Sequence, residues 1–201
     1  EKGIADGAGR IIVSEMKADR LAHVQAALGD LAKKKGVKLE LVDTSKTPIS
    51  DVLKPKSCDD IILLCPVAKA AEAAVPYLAL RSFLNVFAGF PSRDSANISL
   101  NLNDMHYGQW TLLATSGSPI ESLRQVLDLA AAGKINPNNA VAAVGGLGCL
   151  KEGVEHTHKG TYPGRIVIYP QIDMPLTPVS QLSPTGAWTV EAEARLLESK
   201  L

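Results

Sequence analysis

Glu15 directly follows the apolar run at residues 10–14 (RIIVS). A carboxylate at the end of an early strand can accept hydrogen bonds from both hydroxyls of an adenosine ribose, and its charge repels a phosphate on the 2′ oxygen. Arg20 comes one helical turn later, where a guanidinium would flank that ribose or offset the acid. The competing reading of Glu15 is an acid that opens a helix, favoured there by the helix dipole. His106, in Asp104-Met105-His106-Tyr107, is of the residue type that moves protons near neutral pH; the competing reading is a packed loop histidine. Thr115-Ser116-Gly117 offers two hydroxyls and a turn, and reads equally as the ordinary lead-in to the helix that follows. His156 and His158 would share a metal if they lay on a strand, but on a helix positions i and i+2 diverge. Cys58, Cys65 and Cys149 stand in no metal spacing, so no zinc site is expected within the chain.

The elements that would hold these groups alternate in type. Strands are expected at residues 10–14, 37–42, 60–65, 84–88, 110–115, 140–144 and 165–169, each a short apolar or β-branched run. Helices are expected at 19–31, 68–80, 119–132, 150–158 and 190–197, with a short helix or turn at 48–53. Leu21, Val24, Leu28 and Leu31 give the first helix its period, and Lys33-Lys34-Lys35-Gly36 stops it. Pro76 is expected to kink or break the second. After Pro170 the pattern fades, and Pro175, Pro178 and Pro184 mark an irregular tail. Strands alternating with helices imply an α/β fold with a mostly parallel sheet. Ligands then bind beyond the carboxyl ends of the strands, which directs attention to Glu15, Cys65-Pro66, Ala88-Gly89 and Thr115-Ser116-Gly117.

Composition narrows the partners. The 201 residues hold 21 Lys and Arg against 21 Asp and Glu, for a net charge of +0, so no basic face for nucleic acid is indicated. A small molecule is the expected partner. No apolar run reaches membrane-spanning length. Three scattered cysteines fit a reducing compartment, and the expected location is the cytoplasm; the terminal Ser199-Lys200-Leu201 resembles a peroxisomal address, with chance as the competing reading.

Several segments, in order, resemble the zinc-type medium-chain alcohol/polyol dehydrogenases, with the L-sorbose-1-phosphate reductase-like and sorbitol-dehydrogenase-like members as the nearest pattern. Residues 7–21 (GAGRIIVSEMKADRL) resemble the family's second strand and turn, 58–66 (CDDIILLCP) a strand on the adenine side, and 84–91 (LNVFAGFP) the strand ending beside the nicotinamide. His106-Tyr107 with Thr115-Ser116-Gly117, and 159–169 (KGTYPGRIVIY), match later segments. The resemblance implies a Rossmann-like doubly wound fold and NAD, preferred over NADP, as cofactor. It assigns Glu15 to the ribose with Arg20 beside it, Ala88 and Gly89 to the nicotinamide, Thr115 and Ser116 to the carboxamide and substrate mouth, and Arg165 to the pyrophosphate; a solvated cation at a strand start is the competing reading for Arg165. Cys65 joins the cofactor-binding set as the residue at its strand's end.

The departures are as specific. Gly3, Gly7 and Gly9 do not form G-x-G-x-x-G and precede a strand rather than follow one. The chain thus reads as lacking the first strand and glycine loop, with residues 1–170 a partial dinucleotide-binding domain and 171–201 a tail returning toward an absent catalytic domain. That domain would carry the zinc and the catalytic residues, so no catalytic residue is assigned within this chain. The natural polypeptide is expected to be longer at its N-terminus and inactive without that part, and homo-oligomeric. The expected function is the NAD(H)-binding portion of a dehydrogenase that interconverts an alcohol, polyol or sugar phosphate and its ketone. Alternatives are a non-catalytic nucleotide- or partner-binding module and a sugar-phosphate enzyme that uses no dinucleotide.

Overall fold

A computed structural model describes residues 1–200. In chain order the elements are α1 (Lys2–Ala5), β1 (Arg10–Glu15), α2 (Ala18–Lys35), β2 (Lys38–Asp43), β3 (Cys58–Leu63), α3 (Ala68–Ala74), β4 (Leu78–Val86), α4 (Leu102–Gly108), β5 (Thr111–Ala114), α5 (Ile120–Ala131), β6 (Val141–Gly146), α6 (Leu150–Lys159), β7 (Arg165–Tyr169), β8 (Thr177–Pro178), α7 (Val179–Leu182) and α8 (Val190–Lys200). The chain forms two compact units, one of residues 1–47 with 124–201 and one of residues 48–123.

In the first unit β1 and β2 pair in parallel, in register from Arg10 opposite Lys38 to Glu15 opposite Asp43. Parallel neighbours need a crossover, and α2 supplies it. It ends where Gly36 adopts a left-handed φ of 69° and its N–H turns back to the carbonyls of Ala32 and Lys33. Ile4, Ala32 and Val37 are buried here, with Ile11, Leu28, Leu31 and Leu39 packed around them. A second sheet of this unit has the order β7-β6-β8, with β7 parallel and β8 antiparallel to β6. Every residue of β6 is buried, as its sequence VAAVGG requires of a central strand. Gly146 has a packing reason: a Cβ there would stand 2.4 Å from the Ile172 carbonyl oxygen and 2.9 Å from the Met174 nitrogen.

The tail read as irregular is half of this core. Val141 and Val144 pack with Ile172, Met174, Val179, Trp188, Ala192 and Leu196. The prolines do not unravel the segment; Pro178 closes β8 and leads into α7. Apolar residues in irregular chain can be buried without any period, which is why periodicity did not show them.

In the second unit β3, β4 and β5 form a parallel sheet in that order. The helix expected at 68–80 stops at Ala74 and passes through a 3-10 turn, Val75–Tyr77, into β4 at Leu78. Pro76 has no N–H to continue the helix, and Leu78 and Leu80 belong to a strand that begins six residues earlier than expected. One sheet face holds the buried Leu63 and Leu84. Register places Ile62, Phe83 and Leu113 on the other face, all exposed. Helix α4 was not anticipated; Asn101 caps it, its side chain accepting from the Asn103 N–H at 2.9 Å and the Asp104 N–H at 3.4 Å.

Candidate nucleotide site

Glu15 is the last residue of β1, at the carboxyl end of a parallel pair. The backbone there is tied across the pair, with the Thr44 N–H donating to the Glu15 carbonyl at 2.9 Å. The side chain is half-buried, and its own turn aims it. Oε1 accepts from the Met16 N–H at 2.7 Å and the Lys17 N–H at 3.1 Å, and Oε2 accepts from Nη1 of Arg20 at 3.1 Å. Burial pushes the Glu15 carboxyl up, but the bonds from the Met16 N–H, Arg20 and the Lys17 N–H outweigh it and hold the group below the ordinary carboxylate range. It is therefore ionised at neutral pH. A carboxylate offers about four acceptor positions, and three are used; a ribose diol would take the remaining one on Oε2 and replace one backbone N–H.

Asp43 ends β2 directly opposite Glu15, so a second carboxylate stands at the same strand edge. Its own turn consumes it: Ser45 donates through both N–H and hydroxyl to Oδ1, and Lys46 Nζ lies 3.0 Å from Oδ2. The hydroxyl of Ser45 is the largest influence holding the Asp43 carboxyl below its usual value. Lys17 Nζ, two residues beyond Glu15, donates to the Gly160 carbonyl at 3.4 Å. Sequence reading passed over Lys17, Asp43 and Gly160. Lys17 and Asp43 could have been found as charges within two residues of a strand's carboxyl end, whereas Gly160 is distant in sequence and only the fold brings it in.

The second unit gathers the other candidates by itself. Cys65, Ala88-Gly89 and Thr115-Ser116 follow β3, β4 and β5, three successive strands whose carboxyl ends lie side by side at Leu63, Val86 and Ala114. The Leu63 carbonyl accepts from the N–H groups of both Phe87 and Ala88 at 3.1 Å, and the Thr115 N–H reaches the Val86 carbonyl at 3.4 Å. The Val67 N–H closes a tight turn on the Cys65 carbonyl at 2.9 Å. Cys65, Gly89, Thr115 and Ser116 are exposed and Ala88 is half-buried. Gly89 has nothing within 4 Å of where its Cβ would be. This edge presents main chain and small polar groups to solvent. Arg165 is exposed at the first residue of β7, the amino end of its strand, opposite Val141 in register.

The histidines are occupied elsewhere. His106 is not in a loop but on the last turn of α4, exposed, its ring edge-on to Tyr107 with centroids 4.9 Å apart. His156 and His158 lie on α6, where they diverge; Nδ1 of His156 pairs with the Thr161 hydroxyl at 2.9 Å. His23 Nε2 contacts the Asn139 carbonyl at 3.0 Å, and the buried Cys149 thiol donates to the Gly146 carbonyl at 3.1 Å. Among the described residues no group of three or more His, Cys, Asp or Glu side chains is arranged to hold a metal. Among the described residues no helix is long and apolar enough to cross a membrane, and Leu201, the last residue of the Ser-Lys-Leu terminus, lies outside them.

Comparison with known proteins fixes the fold. The chain is 30% identical over 183 residues to mannitol-1-phosphate 5-dehydrogenase of Aliivibrio fischeri, a match that covers 87% of this chain and 42% of the relative. An alcohol dehydrogenase zinc-binding domain protein from Burkholderia ambifaria superposes with a TM-score of 0.62 at 17% identity, over 82% of this chain and 43% of the other. A Sinorhizobium meliloti structure bound to NADP superposes with a TM-score of 0.58 at 18% identity, over 74% of this chain and 42% of the other. The chain has a Rossmann-like α/β fold. It spans about two fifths of the length of the curated relatives it matches. No family model matches it.

Proposed function

We propose that the chain is the NAD(H)-binding portion of a zinc-type medium-chain dehydrogenase, of the sorbitol-dehydrogenase-like or L-sorbose-1-phosphate reductase-like kind, that interconverts a polyol or polyol phosphate and the corresponding ketone. The carrying observation is Glu15, ionised, half-buried and aimed by its own turn at the carboxyl end of a parallel strand. The similarity to mannitol-1-phosphate 5-dehydrogenase supports the substrate class. NAD, when bound, supplies a hydride acceptor. Glu15 holds the adenosine ribose, and Arg20 keeps the carboxylate in place. Cys65, Ala88, Gly89, Thr115 and Ser116, at the carboxyl ends of three neighbouring parallel strands, are the candidates for the nicotinamide and its carboxamide, whereas Arg165, at the amino end of β7, is left without a role in the site. On this proposal zinc and the proton-transferring groups belong to polypeptide outside these 201 residues, while the segment 171–200 packs on β6 within the first unit. The enzyme works as a homo-oligomer in the cytoplasm.

The test is turnover. The intact protein is incubated with mannitol 1-phosphate, sorbitol and a simple alcohol, each with NAD or NADP, and absorbance of the reduced nicotinamide is followed. Oxidation of a polyol or its phosphate with NAD is expected. Absence of turnover with every polyol and polyol phosphate, in both directions, would overturn the proposal.

A further inference from the structure

We propose that Gly160, the residue that ends α6, acts through Arg20 as a positioning residue for nucleotide choice. The inference rests on the reading that Glu15 takes the adenosine ribose. Arg20 donates from Nη1 to Glu15 Oε2 at 3.1 Å, and a Cβ on Gly160 would stand 3.3 Å from Nη2 of the same guanidinium. The guanidinium thus lies between the acid and the helix end, and a Cβ on residue 160 would crowd its tip at 3.3 Å. Gly160 is also held in the left-handed region, at φ 59°, where its N–H donates to the Thr157 carbonyl at 3.2 Å and the Thr161 N–H closes on the His156 carbonyl at 3.0 Å.

Lys17 gives a second, independent contact to the same place, from Nζ to the Gly160 carbonyl at 3.4 Å. Lys17, the N-cap of α2, and Arg20, in its first turn, therefore both stand at the carboxyl end of α6, where the helix dipole favours positive charge. Held so, Arg20 is spent on Glu15. Pushed aside by a side chain on Gly160, the guanidinium holds Glu15 over a longer, weaker bond and is more available to a 2′-phosphate beside the acid. A contact between residues 20 and 160 thereby sets how strictly NADP is refused.

The test is a double-mutant cycle on the intact protein, with dissociation constants for NADH and NADPH read by nicotinamide fluorescence. Gly160→Asn adds a Cβ while tolerating the left-handed backbone; Gly160→Ala adds the same Cβ and strains the backbone. Both are expected to lower the NADH-over-NADPH preference by roughly fivefold, about the worth of one weakened charge-assisted bond, whereas only Gly160→Ala should measurably lower the unfolding temperature. In an Arg20→Ala background Gly160→Asn should change neither affinity further. Additive effects of the two substitutions, or an unchanged preference in Gly160→Asn, would overturn the inference while leaving the ribose reading intact. Glu15→Ala run alongside separates the two: if it leaves the preference as it was, the ribose reading itself fails and the inference falls with it.

Discussion

Gly146→Ala should be among the most damaging one-carbon changes in the protein. The added Cβ would meet the Ile172 carbonyl oxygen at 2.4 Å, the Met174 nitrogen at 2.9 Å and the Asp173 Cα at 3.3 Å. All three are main-chain atoms, so relief cannot come from a side-chain rotation; the segment after β7 must move away from β6. That movement breaks the bond from the Gly146 N–H to the Met174 carbonyl at 3.1 Å. It also opens the core in which Ile172 and Met174 pack on Val144. Overpacking of this kind costs about 1–3 kcal/mol, and the lost hydrogen bond about 1 kcal/mol more. The sum, roughly 3 kcal/mol, corresponds to a fall in Tm of about 6–12 °C for a chain of this size. Thermal unfolding followed by circular dichroism measures it. Gly148→Ala is the matched control, since nothing lies within 4 Å of its Cβ; its Tm should stay within about 2 °C of the parent. Equal behaviour of the two variants would refute the claim that the tail is packed against β6 as described.

Two further outcomes concern ionisation. Tyr169 donates to Glu193, and burial together with that bond pushes its phenol up to about 12. A folded-state pKa raised above the unfolded value of about 10 means that stability falls as pH rises from about 10 through 12; absorbance at 295 nm should show a step near pH 12, and Tyr169→Phe should abolish it. Glu40 is held down to about 2 by the side chains of Arg10 and Lys38, which lie 2.7 Å from it. For a depressed carboxylate the favourable interaction is present above the ordinary value and is lost as pH falls through the folded one. Carboxyl chemical shifts of Glu40 should therefore stay constant down to about pH 3, and a midpoint near 4.5 would contradict the ion cluster.

The sequence reached the regular part of the fold because apolar period and β-branching encode it directly. The strand read at 165–169 is β7 to the residue, and Gly36 marks the end of α2 as a left-handed stop. What it missed obeys no local period. The burial of Ile172, Met174 and Trp188 depends on a chain that returns to β6, and the prolines around them look like loop punctuation from sequence alone. The early start of β4 was hidden because an alanine-rich run leads into Pro76 and masks the change from helix to strand. For the site, Glu15 and Arg20 stood out because a single turn separates them. The structure groups Cys65, Ala88, Gly89, Thr115 and Ser116 through parallel register at neighbouring strand ends, where a mostly parallel sheet directs attention. Gly160 was not singled out, because its proximity to Lys17 and Arg20 spans so much sequence that only tertiary packing creates it.

The most direct measurement on the central claim is titration of the intact protein and its Glu15→Ala variant with NADH and NADPH, followed by nicotinamide fluorescence. If Glu15 holds the ribose, the parent binds NADH more tightly than NADPH. Glu15→Ala should weaken NADH by about tenfold to a hundredfold, as expected for losing hydrogen bonds to a charged group, and should narrow the preference. Equal affinities for the two nucleotides in both proteins, or no binding of either by the parent, would contradict it.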